Sequence, residues 1–381
     1  MKGKREKQET SDDLRTNRGG SLGLSIPFDL YPDILKRLPV KALARFLCVS
    51  KESESIIRNK DFMRSYLIKS SARSQTQSLI FTCVDKSNHK KRHFFSVGVS
   101  GESSSSVATY HMNCLSNPYT VVAPSVHGLI CYGTLPRKVS MVYNPSTRRS
   151  ITLPKIDSRR FDIMYHYMGY DPINDDYKVL CMTRLGHGLG QELRVLTLGN
   201  GNSWRVIQDY PPHYSPRSHL DICIDGVLYY EAFQRGHQVM SFDVRSEEFD
   251  LLELPETAAR FTKMTRYEGK LALMTFKPAG LSCTCWIDLW VLVDAAKQEW
   301  CKKVFALELC ITDYYLQAYC LTDAGEFVFG PDTLSEPPFY VLYYDPKRNS
   351  LRKVYIEGIT ERWGKSIFSI FPGQVENLMF L

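Results

Sequence analysis

The spacing of apolar positions changes once along the chain and divides it into two regions. Between residues 25 and 72, apolar side chains recur every three or four positions, the spacing that places them on one face of an α-helix. From about residue 79 to about residue 371, the chain consists of short runs rich in β-branched and aromatic residues, separated by turn residues. The pattern predicts a small helical region followed by a much larger β region.

The first predicted helix has clear boundaries. Leu30, Ile34 and Leu38 recur every four residues and give this helix one apolar face. Asp29 precedes it and is predicted to cap its first turn with the side-chain carboxylate. Pro39 follows Leu38 and cannot continue the helix. We therefore predict a helix from Leu30 to Leu38.

Three further short helices are predicted before the spacing of the apolar residues changes from helical to β. Residues 40–48 form a second apolar segment at helical spacing. Ser50 is predicted to cap a third helix, and Asp61 a fourth helix that starts at Phe62. A module of roughly forty residues is too small to bury all of these apolar side chains internally. Some of them must pack against the downstream region or against a partner.

The β region repeats two sequence pieces in alternation. One piece is a strand, a turn centred on Asp or Asn, and a second strand, as in VYNPSTRRSITLP (142–154) and SFDVRSEEFDLLELP (241–255). The other is a glycine that enters a strand, as in HGLICY (127–132) and DGVLYY (225–230). Periods of roughly 40 to 50 residues with several short strands each are typical of propeller blades. The expected fold class is α+β multidomain, with an all-β, propeller-like domain behind the helical module and with the number of blades left open.

Residues within these repeats are assigned structural roles. Asn144, Asp171 and Asp345 each precede a proline, and their side chains can accept hydrogen bonds from backbone N–H groups two residues further on. These acids and amides are therefore predicted to form turns and not to bind a ligand. Trp204 and Trp300 are predicted to anchor the packing of the blades.

The pattern gives provisional domain boundaries. Residues 1–21 are polar and charged and are predicted to be a disordered tail. Residues 22–68 form the helical module, 69–78 a connector, and 79–375 the β domain. The serine-rich stretch that begins at Gly101 is predicted to be a loop.

Composition and charge exclude several classes of protein. The net charge of +7 is spread along the 381 residues, without the dense basic stripe that binds a phosphate backbone. The 11 cysteines include no Cys-x-x-Cys pair, so we expect free thiols in a reducing compartment, and no metal or cofactor. No apolar run is long enough to span a bilayer, and the N-terminus resembles no secretory signal. These features predict a protein of the cytoplasm, the nucleus or both.

No arrangement of residues predicts catalysis. The glycine-rich stretch 186–190 lacks the Lys-Ser/Thr of a phosphate loop and is interpreted as an ordinary loop. His166, His187, His213 and His219 are isolated in sequence, and the chain has no Gly-x-Ser-x-Gly elbow. We therefore expect a binding protein and not an enzyme.

The helical region resembles an F-box. The pattern IPxDLxPxILxRLPVKxLxRFxCVSKxxxxIIRxxxF runs unbroken from Ile26 to Phe62. One position departs from it, because Ser53 stands where this family usually has tryptophan. The resemblance implies a helical hook that binds the Skp-type adaptor of a cullin-based (SCF) ubiquitin ligase. The residues that it assigns to adaptor binding are Pro27, Leu30, Ile34, Leu35, Leu38, Pro39, Leu43, Cys48, Val49 and Ser50.

The β region resembles the F-box-associated domain of plant F-box proteins, which is similar to Kelch and other propellers. The motifs that carry this resemblance are YNPSTRRSITLP, GYDPINDDYKVL, VLTLGNGNSWRVI and ICIDGVLYY, all within residues 79–371. The order of the two regions implies a substrate-recognition subunit whose β domain binds a target protein. The substrate residues stay unknown, although the proline-rich segments 210–219 and 331–340 are candidates for loops on the recognition face.

A second hypothesis remains open at this point. In this hypothesis the chain has no role in ubiquitination. It is an interaction module that binds a protein or a glycan and has a degenerate F-box. Ser53 in place of tryptophan is the sequence feature that favours it.

Overall fold

The computed structural model describes the two predicted regions but not the N-terminal tail. The described residues are 27–73, 77–84, 91–99, 104–115, 125–134, 139–156, 163–184, 191–199, 203–215, 220–234, 236–258, 261–277, 284–308, 316–331, 333–334, 338–359, 366–371 and 375–379. The predicted disordered tail, residues 1–21, lies outside them.

The helical module contains a 3₁₀ turn and four α-helices. The turn spans Phe28–Leu30, and the helices are α1 (Tyr31–Leu35), α2 (Val40–Phe46), α3 (Lys51–Ile57) and α4 (Lys60–Arg73). Helix α4 extends beyond the predicted end of the module at residue 68, and the first strand begins at Gln77. The predicted connector 69–78 is therefore mostly helix and strand, since residues 69–73 contain no glycine or proline that would end α4.

Of the three predicted helix caps, only one is confirmed. The Ser50 side chain accepts a hydrogen bond from the Ser53 N–H at 3.1 Å and caps α3. Asp29 lies inside the 3₁₀ turn, and the first helix starts later and ends earlier than predicted. Asn59 takes the role predicted for Asp61, because its Oδ1 accepts from the backbone N–H groups of residues 61 and 62. An amide two residues earlier therefore caps α4.

The β domain contains 25 strands among the described residues. They are β1 (Gln77–Val84), β2 (Lys91–Val99), β3 (Ser105–Val107), β4 (Thr109–Leu115), β5 (Ile130–Thr134), β6 (Val139–Asn144), β7 (Arg149–Thr152), β8 (Ile163–Asp171), β9 (Asp176–Arg184), β10 (Gln191–Thr197), β11 (Arg205–Ile207), β12 (Asp221–Ile224), β13 (Val227–Phe233), β14 (His237–Asp243), β15 (Phe249–Leu252), β16 (Lys263–Tyr267), β17 (Lys270–Lys277), β18 (Thr284–Asp294), β19 (Glu299–Glu308), β20 (Leu316–Leu321), β21 (Phe327–Pro331), β22 (Thr333–Leu334), β23 (Phe339–Asp345), β24 (Ser350–Glu357) and β25 (Ser366–Phe371).

These strands form six sheets, which are the blades of a propeller. Blade one has the order β22-β25-β1-β2-β4, blade two β5-β6-β7, and blade three β11-β10-β9-β8. Blade four is β12-β13-β14-β15, blade five β16-β17-β18-β19, and blade six β20-β21-β23-β24-β3. The predicted propeller-like fold is confirmed, and the structure settles the number of blades at six.

Three strand pairings close the ring at blades one and six. The last strand, β25, pairs antiparallel with the first strand, β1, with Ile80 opposite Phe371. Strand β3, which lies in the stretch predicted to be a serine loop, pairs in parallel with β24 of blade six. Strand β22 crosses from blade six to pair with β25. The loop prediction was wrong for Ser105–Val107, because the edge of blade six offers unpaired backbone groups that these residues satisfy.

The hydrophobic core is divided among the interfaces between neighbouring blades. Phe81 of blade one packs with Tyr343 of blade six, and Tyr167 of blade three with Tyr230 of blade four. Each of the six interfaces has such a cluster of buried residues. Trp204 and Trp300 lie in two of these clusters, and their indole N–H groups donate to the carbonyl oxygens of residues 154 and 253. Their predicted role as packing anchors is confirmed.

The predicted turn chemistry is also confirmed. The side chains of Asn144, Asp171 and Asp345 each accept a hydrogen bond from the backbone N–H two residues further on, at 2.8 to 2.9 Å. Gly128 and Gly269, which enter strands, have φ angles of +83° and +80°. Positive φ angles favour glycine, because glycine has no Cβ atom that would clash with the backbone.

The helical module packs against blades two and three. Leu67 of α4 is 6% exposed and belongs to the same cluster as Leu129 and Tyr170. The Arg64 guanidinium donates to the Pro172 carbonyl oxygen at 2.7 Å. The segment 375–379, beyond the last strand, contacts the helical module and the propeller. The two regions are therefore in direct contact through α4 and the C-terminal residues.

The close approach of the C-terminal segment to Gly128 can be tested with two alanine variants. A Cβ atom at Gly128 would collide with the Val375 carbonyl oxygen, whereas a Cβ at Gly269 has no described heavy atom within 4 Å. We expect Gly269→Ala to lower the free energy of unfolding by about 1–2 kcal/mol, the cost of a left-handed backbone. Gly128→Ala should cost more, because residue 375 must also move.

Urea-induced unfolding of both variants measures this difference, since the two glycines have nearly the same φ angle. Equal losses of stability in Gly128→Ala and Gly269→Ala would contradict a tight contact at residue 375.

Candidate functional site

The helical module exposes an unusual number of large apolar side chains. Phe28 is 65% exposed, Leu30 48%, Ile34 41% and Val49 70%. These residues lie in the 3₁₀ turn, in α1 and in the turn before α3. Clusters of exposed apolar residues on a small module are typical of surfaces that bind another protein. This surface is the strongest candidate site in the described part of the chain.

Two of the ten residues predicted to bind the adaptor lie in the interior. Leu35 is 1% exposed and Leu43 is fully buried, and they pack with Ile57, Phe62 and Tyr66. They offer no contact area to a partner, because their side chains already form the core of the helical module. Their burial assigns these two residues to the support of the site, while adaptor binding by the predicted residues stays a prediction.

The other eight predicted residues lie at or near the surface. Leu38 and Ser50 are partly buried, and the rest are exposed: Pro27, Leu30, Ile34, Pro39, Cys48 and Val49. Most of them lie where helices begin or end, and Ser50 caps α3. Eight of the ten predicted side chains are therefore wholly or partly exposed to solvent.

A groove of about 620 Å³ lies beside this surface and was not predicted from the sequence. Helices α1, α3 and α4 contribute to its walls, together with Phe28 of the 3₁₀ turn. The residues that line it are Phe28, Pro32, Lys36, Lys51, Glu52, Ser55, Ile56, Asn59, Asp61, Phe62 and Ser65. A helical projection of the sequence could have indicated it, because Phe28, Pro32 and Lys36 recur every four residues.

The groove is lined by apolar side chains and by charged side chains of both signs. The Lys36 ammonium group lies 6.0 Å from the centre of the Phe62 ring and 3.6 Å from the Asp33 carboxylate. Hydrogen bonds from its own backbone N–H and from the Ser50 hydroxyl lower the pKa of Glu52. A groove lined by both apolar and charged side chains suits a partner segment that is itself amphipathic.

Ser53, the one departure from the F-box pattern, lies in the interior. It is 3% exposed, and its hydroxyl is 3.2 Å from that of Ser50. The smaller side chain therefore changes the inside of the helical module and leaves the exposed apolar surface intact.

The two faces of the propeller differ in their relation to the helical module. We call the face that carries the turns 127–128, 145–148 and 172–175 the near face, because the helical module and the C-terminal segment contact it. Successive strands within a blade are antiparallel, so every second connection lies at the opposite end of the sheets, which we call the far face.

The two segments proposed as substrate loops both lie at the far face. Residues 210–219 connect β11 to β12, and residues 331–340 connect β21 to β23. In the first segment, His213 and Ser215 are buried, and the His213 Nε2 atom lies 2.8 Å from the Tyr230 hydroxyl. These side chains hold the segment to blade four and do not face solvent. Residues 216–219, 332 and 335–337 lie outside the described residues, and the substrate site stays unassigned.

His166 is less isolated than its sequence position suggested. Its Nε2 atom lies 2.5 Å from the Ser140 hydroxyl and 3.6 Å from the Cys181 thiol. His166 is 1% exposed, so water and substrates do not reach this pair. Among the described residues, no acid is hydrogen-bonded to the imidazole, and the arrangement is a buried structural contact.

The described residues contain no group of three or more His, Cys, Asp or Glu side chains placed to hold a metal ion. None of their helices is long and apolar enough to cross a membrane.

The fold and the exposed surface define a six-bladed propeller protein with an N-terminal helical module that offers a binding surface. A family profile for the F-box domain matches residues 24–65, and one for the F-box associated beta propeller domain matches residues 78–376. The chain belongs to the family of F-box proteins that carry this propeller. The resemblances found in both regions of the sequence are confirmed.

Similar proteins have the same two parts along nearly their whole length. An F-box protein of Arabidopsis thaliana is 50% identical over 405 aligned residues, which cover 99% of this chain and 98% of that protein. A putative F-box protein of the same plant is 42% identical, covering 93% and 88% of the two chains. F-box protein DOR, also from Arabidopsis thaliana, is 36% identical and covers 88% of each.

A chain of the crystal structure of a nidogen/laminin complex aligns with 79% of this chain at 9% identity and a TM-score of 0.47. This TM-score is too low to bear on fold or function.

The buried imidazole of His166 predicts a dependence of stability on pH. Burial lowers its pKa to about 4, from an ordinary value of 6.5. The folded protein keeps this group neutral, whereas the unfolded chain takes up a proton below about pH 6.5. The contribution to stability is therefore complete above pH 6.5 and is lost as the pH falls towards 4, with a maximum on the order of 3 kcal/mol.

Unfolding free energies measured between pH 4 and 7 test this. His166→Gln should flatten the dependence, and Ser140→Ala should not, because it removes the hydroxyl partner and keeps the imidazole. Burial also lowers the pKa of His111 to about 4, so some dependence remains in every variant. Identical slopes for the wild type and His166→Gln would show that His166 does not cause the effect.

Proposed function

We propose that this chain is the substrate-recognition subunit of an SCF (Skp-cullin-F-box) ubiquitin ligase. The helical module binds a Skp-type adaptor, through which the chain joins a cullin, and the propeller binds the target protein. The observation that carries the proposal is the exposed apolar surface of Leu30, Ile34 and Val49 on a module that matches the F-box profile.

The adaptor contact uses the exposed surface together with the groove beside it. Burial of apolar area contributes about 25 cal/mol per Å², so a few half-exposed side chains supply a large part of a protein–protein contact. Leu30 and Ile34 supply such area, and Phe28 joins the exposed surface to the groove. Leu35 and Leu43 contribute indirectly, because they hold α1 and α2 in place.

The target protein contacts the far face of the propeller in this proposal. The near face is occupied by α4 and residues 375–379 around blades two and three. A target bound at the far face leaves the adaptor and the target free to bind at the same time. The identity of the target is not part of the proposal.

The chain itself needs no catalytic group for this role. Ubiquitin transfer occurs on other subunits, and the receptor contributes by raising the effective concentration of the target near them. We propose accordingly that the protein is not an enzyme, binds no cofactor, and acts in the cytoplasm, the nucleus or both.

Adaptor binding tests this proposal directly. We expect Ile34→Asp and Val49→Asp each to weaken binding of a purified Skp-type adaptor by at least about 2 kcal/mol, roughly 30-fold, because each places a charge in an apolar contact. Both residues are exposed in the free chain, so these variants should fold. Isothermal titration calorimetry with the wild type and both variants measures the change.

Ile68→Asp is the matched control, because Ile68 is 62% exposed on α4 and does not line the groove. Its affinity for the adaptor should equal that of the wild type. A wild-type chain that binds none of the Skp-type adaptors, while another F-box protein binds them, would overturn the proposal. The chain would then be an interaction module with a degenerate F-box.

A further inference from the structure

The C-terminal segment 375–379, which we call the strap, has two faces. Its side chains alternate between two sides: those of residues 375, 377 and 379 contact the propeller, and those of residues 376 and 378 contact the helical module. Val375 and Met379 belong to the hydrophobic cluster between blades two and three, and Leu378 belongs to the core of the helical module. One short segment therefore contributes to the cores of both regions.

On one side, Glu376 and Leu378 bind the helical module. The Glu376 carboxylate accepts from the Tyr66 hydroxyl at 2.7 Å and from the Val40 N–H at 3.3 Å. That N–H is the first of helix α2, where the helix dipole favours a negative charge. The Glu376 N–H donates to the Ser70 hydroxyl at 3.1 Å, and Leu378 is 2% exposed. These contacts hold α2 and α4 to the strap.

On the other side, Asn377 binds the propeller. Its side-chain amide donates to the His127 carbonyl oxygen and lies 2.8 Å from the Tyr177 hydroxyl. The Asn144 amide donates to the carbonyl oxygens of residues 377 and 379, at 3.1 and 2.7 Å. The Asn377 N–H donates to the Ser146 hydroxyl at 3.3 Å. Asn377 is 4% exposed, so these bonds are shielded from water.

We propose that the strap fixes the orientation of the helical module on the propeller, with Glu376 as the positioning residue. The strap lies between the module and blades two and three and hydrogen-bonds both of them. Removing it would leave Leu67 and Arg64 as the described contacts between the two regions, both from α4. A helical module that is held to the propeller by α4 alone can pivot about that helix. When the strap also holds α2, this rotation is blocked.

The consequence for function rests on the proposed function. An adaptor bound to the helical module and a target bound to the far face would be held at a fixed separation. A fixed separation concentrates the target at one place relative to the transfer chemistry, and a pivoting module spreads it over a larger volume.

A distance distribution between the two regions tests the proposal in the full chain. Nitroxide-bearing residues introduced by amber suppression at the exposed positions Lys60, on α4, and Glu299, on blade five, report the separation by double electron–electron resonance. The wild type should give one narrow distribution. Glu376→Ala should widen it about twofold or more, because it removes both contacts to α2 and the Tyr66 hydroxyl.

Two further variants separate positioning from a general loss of stability. Glu376→Gln keeps an acceptor oxygen for Tyr66 and should restore a narrow distribution. Glu308→Ala replaces an exposed glutamate on blade five and should leave the width unchanged. An unchanged width in Glu376→Ala, or equal widening in Glu376→Gln, would overturn the proposal. A chain that ends at residue 374 should give the widest distribution, and a narrow one would also overturn it.

Adaptor binding measured on the same samples keeps the two proposals apart. A wild-type chain with a narrow distribution that binds no adaptor would overturn the proposed ligase role and leave the strap proposal standing. A wild-type chain that binds the adaptor, but whose distance distribution is unchanged in every strap variant, would overturn the strap proposal and leave the proposed ligase role standing.

Discussion

The structure depends on closure of the propeller by the pairing of β25 with β1. Each blade buries its two faces against neighbouring blades, so a ring that stays open would expose the clusters at its ends. The antiparallel pairing also places the end of β25 beside the beginning of β1. Helix α4 ends just before β1, so the residues that follow β25 emerge next to the helical module. Closure of the ring thereby brings the strap to the place where it binds.

The closing pairing is supported by two exchanges between blades one and six. Strand β3 adds to the outer edge of blade six, and β22 adds to the sheet of blade one. Each exchange pairs backbone groups at a sheet edge that would otherwise face solvent. Blades one and six therefore hold each other by these two pairings, beside the pairing of β25 with β1 inside blade one.

Local rules predicted most of the fold, and contacts between distant residues account for what was missed. The turns at Asn144 and Asp171 and the cap at Ser50 each depend on residues two or three positions apart, which sequence reasoning reaches. The cap at Asp61 was wrong because Asn59 takes its place, and the cap at Asp29 was wrong because Asp29 lies inside the 3₁₀ turn that precedes the helix. The burial of Leu35 and the role of Glu376 depend on helix packing and on partners up to 336 positions away, which periodicity does not show.

The strap also has a consequence for the order in which the protein matures during synthesis. Leu378, which completes the core of the helical module, follows the whole propeller along the chain. Domains generally begin to fold from the N-terminus while the chain is being made. A chain broken off before residue 378 therefore carries a helical module that lacks one of its core side chains.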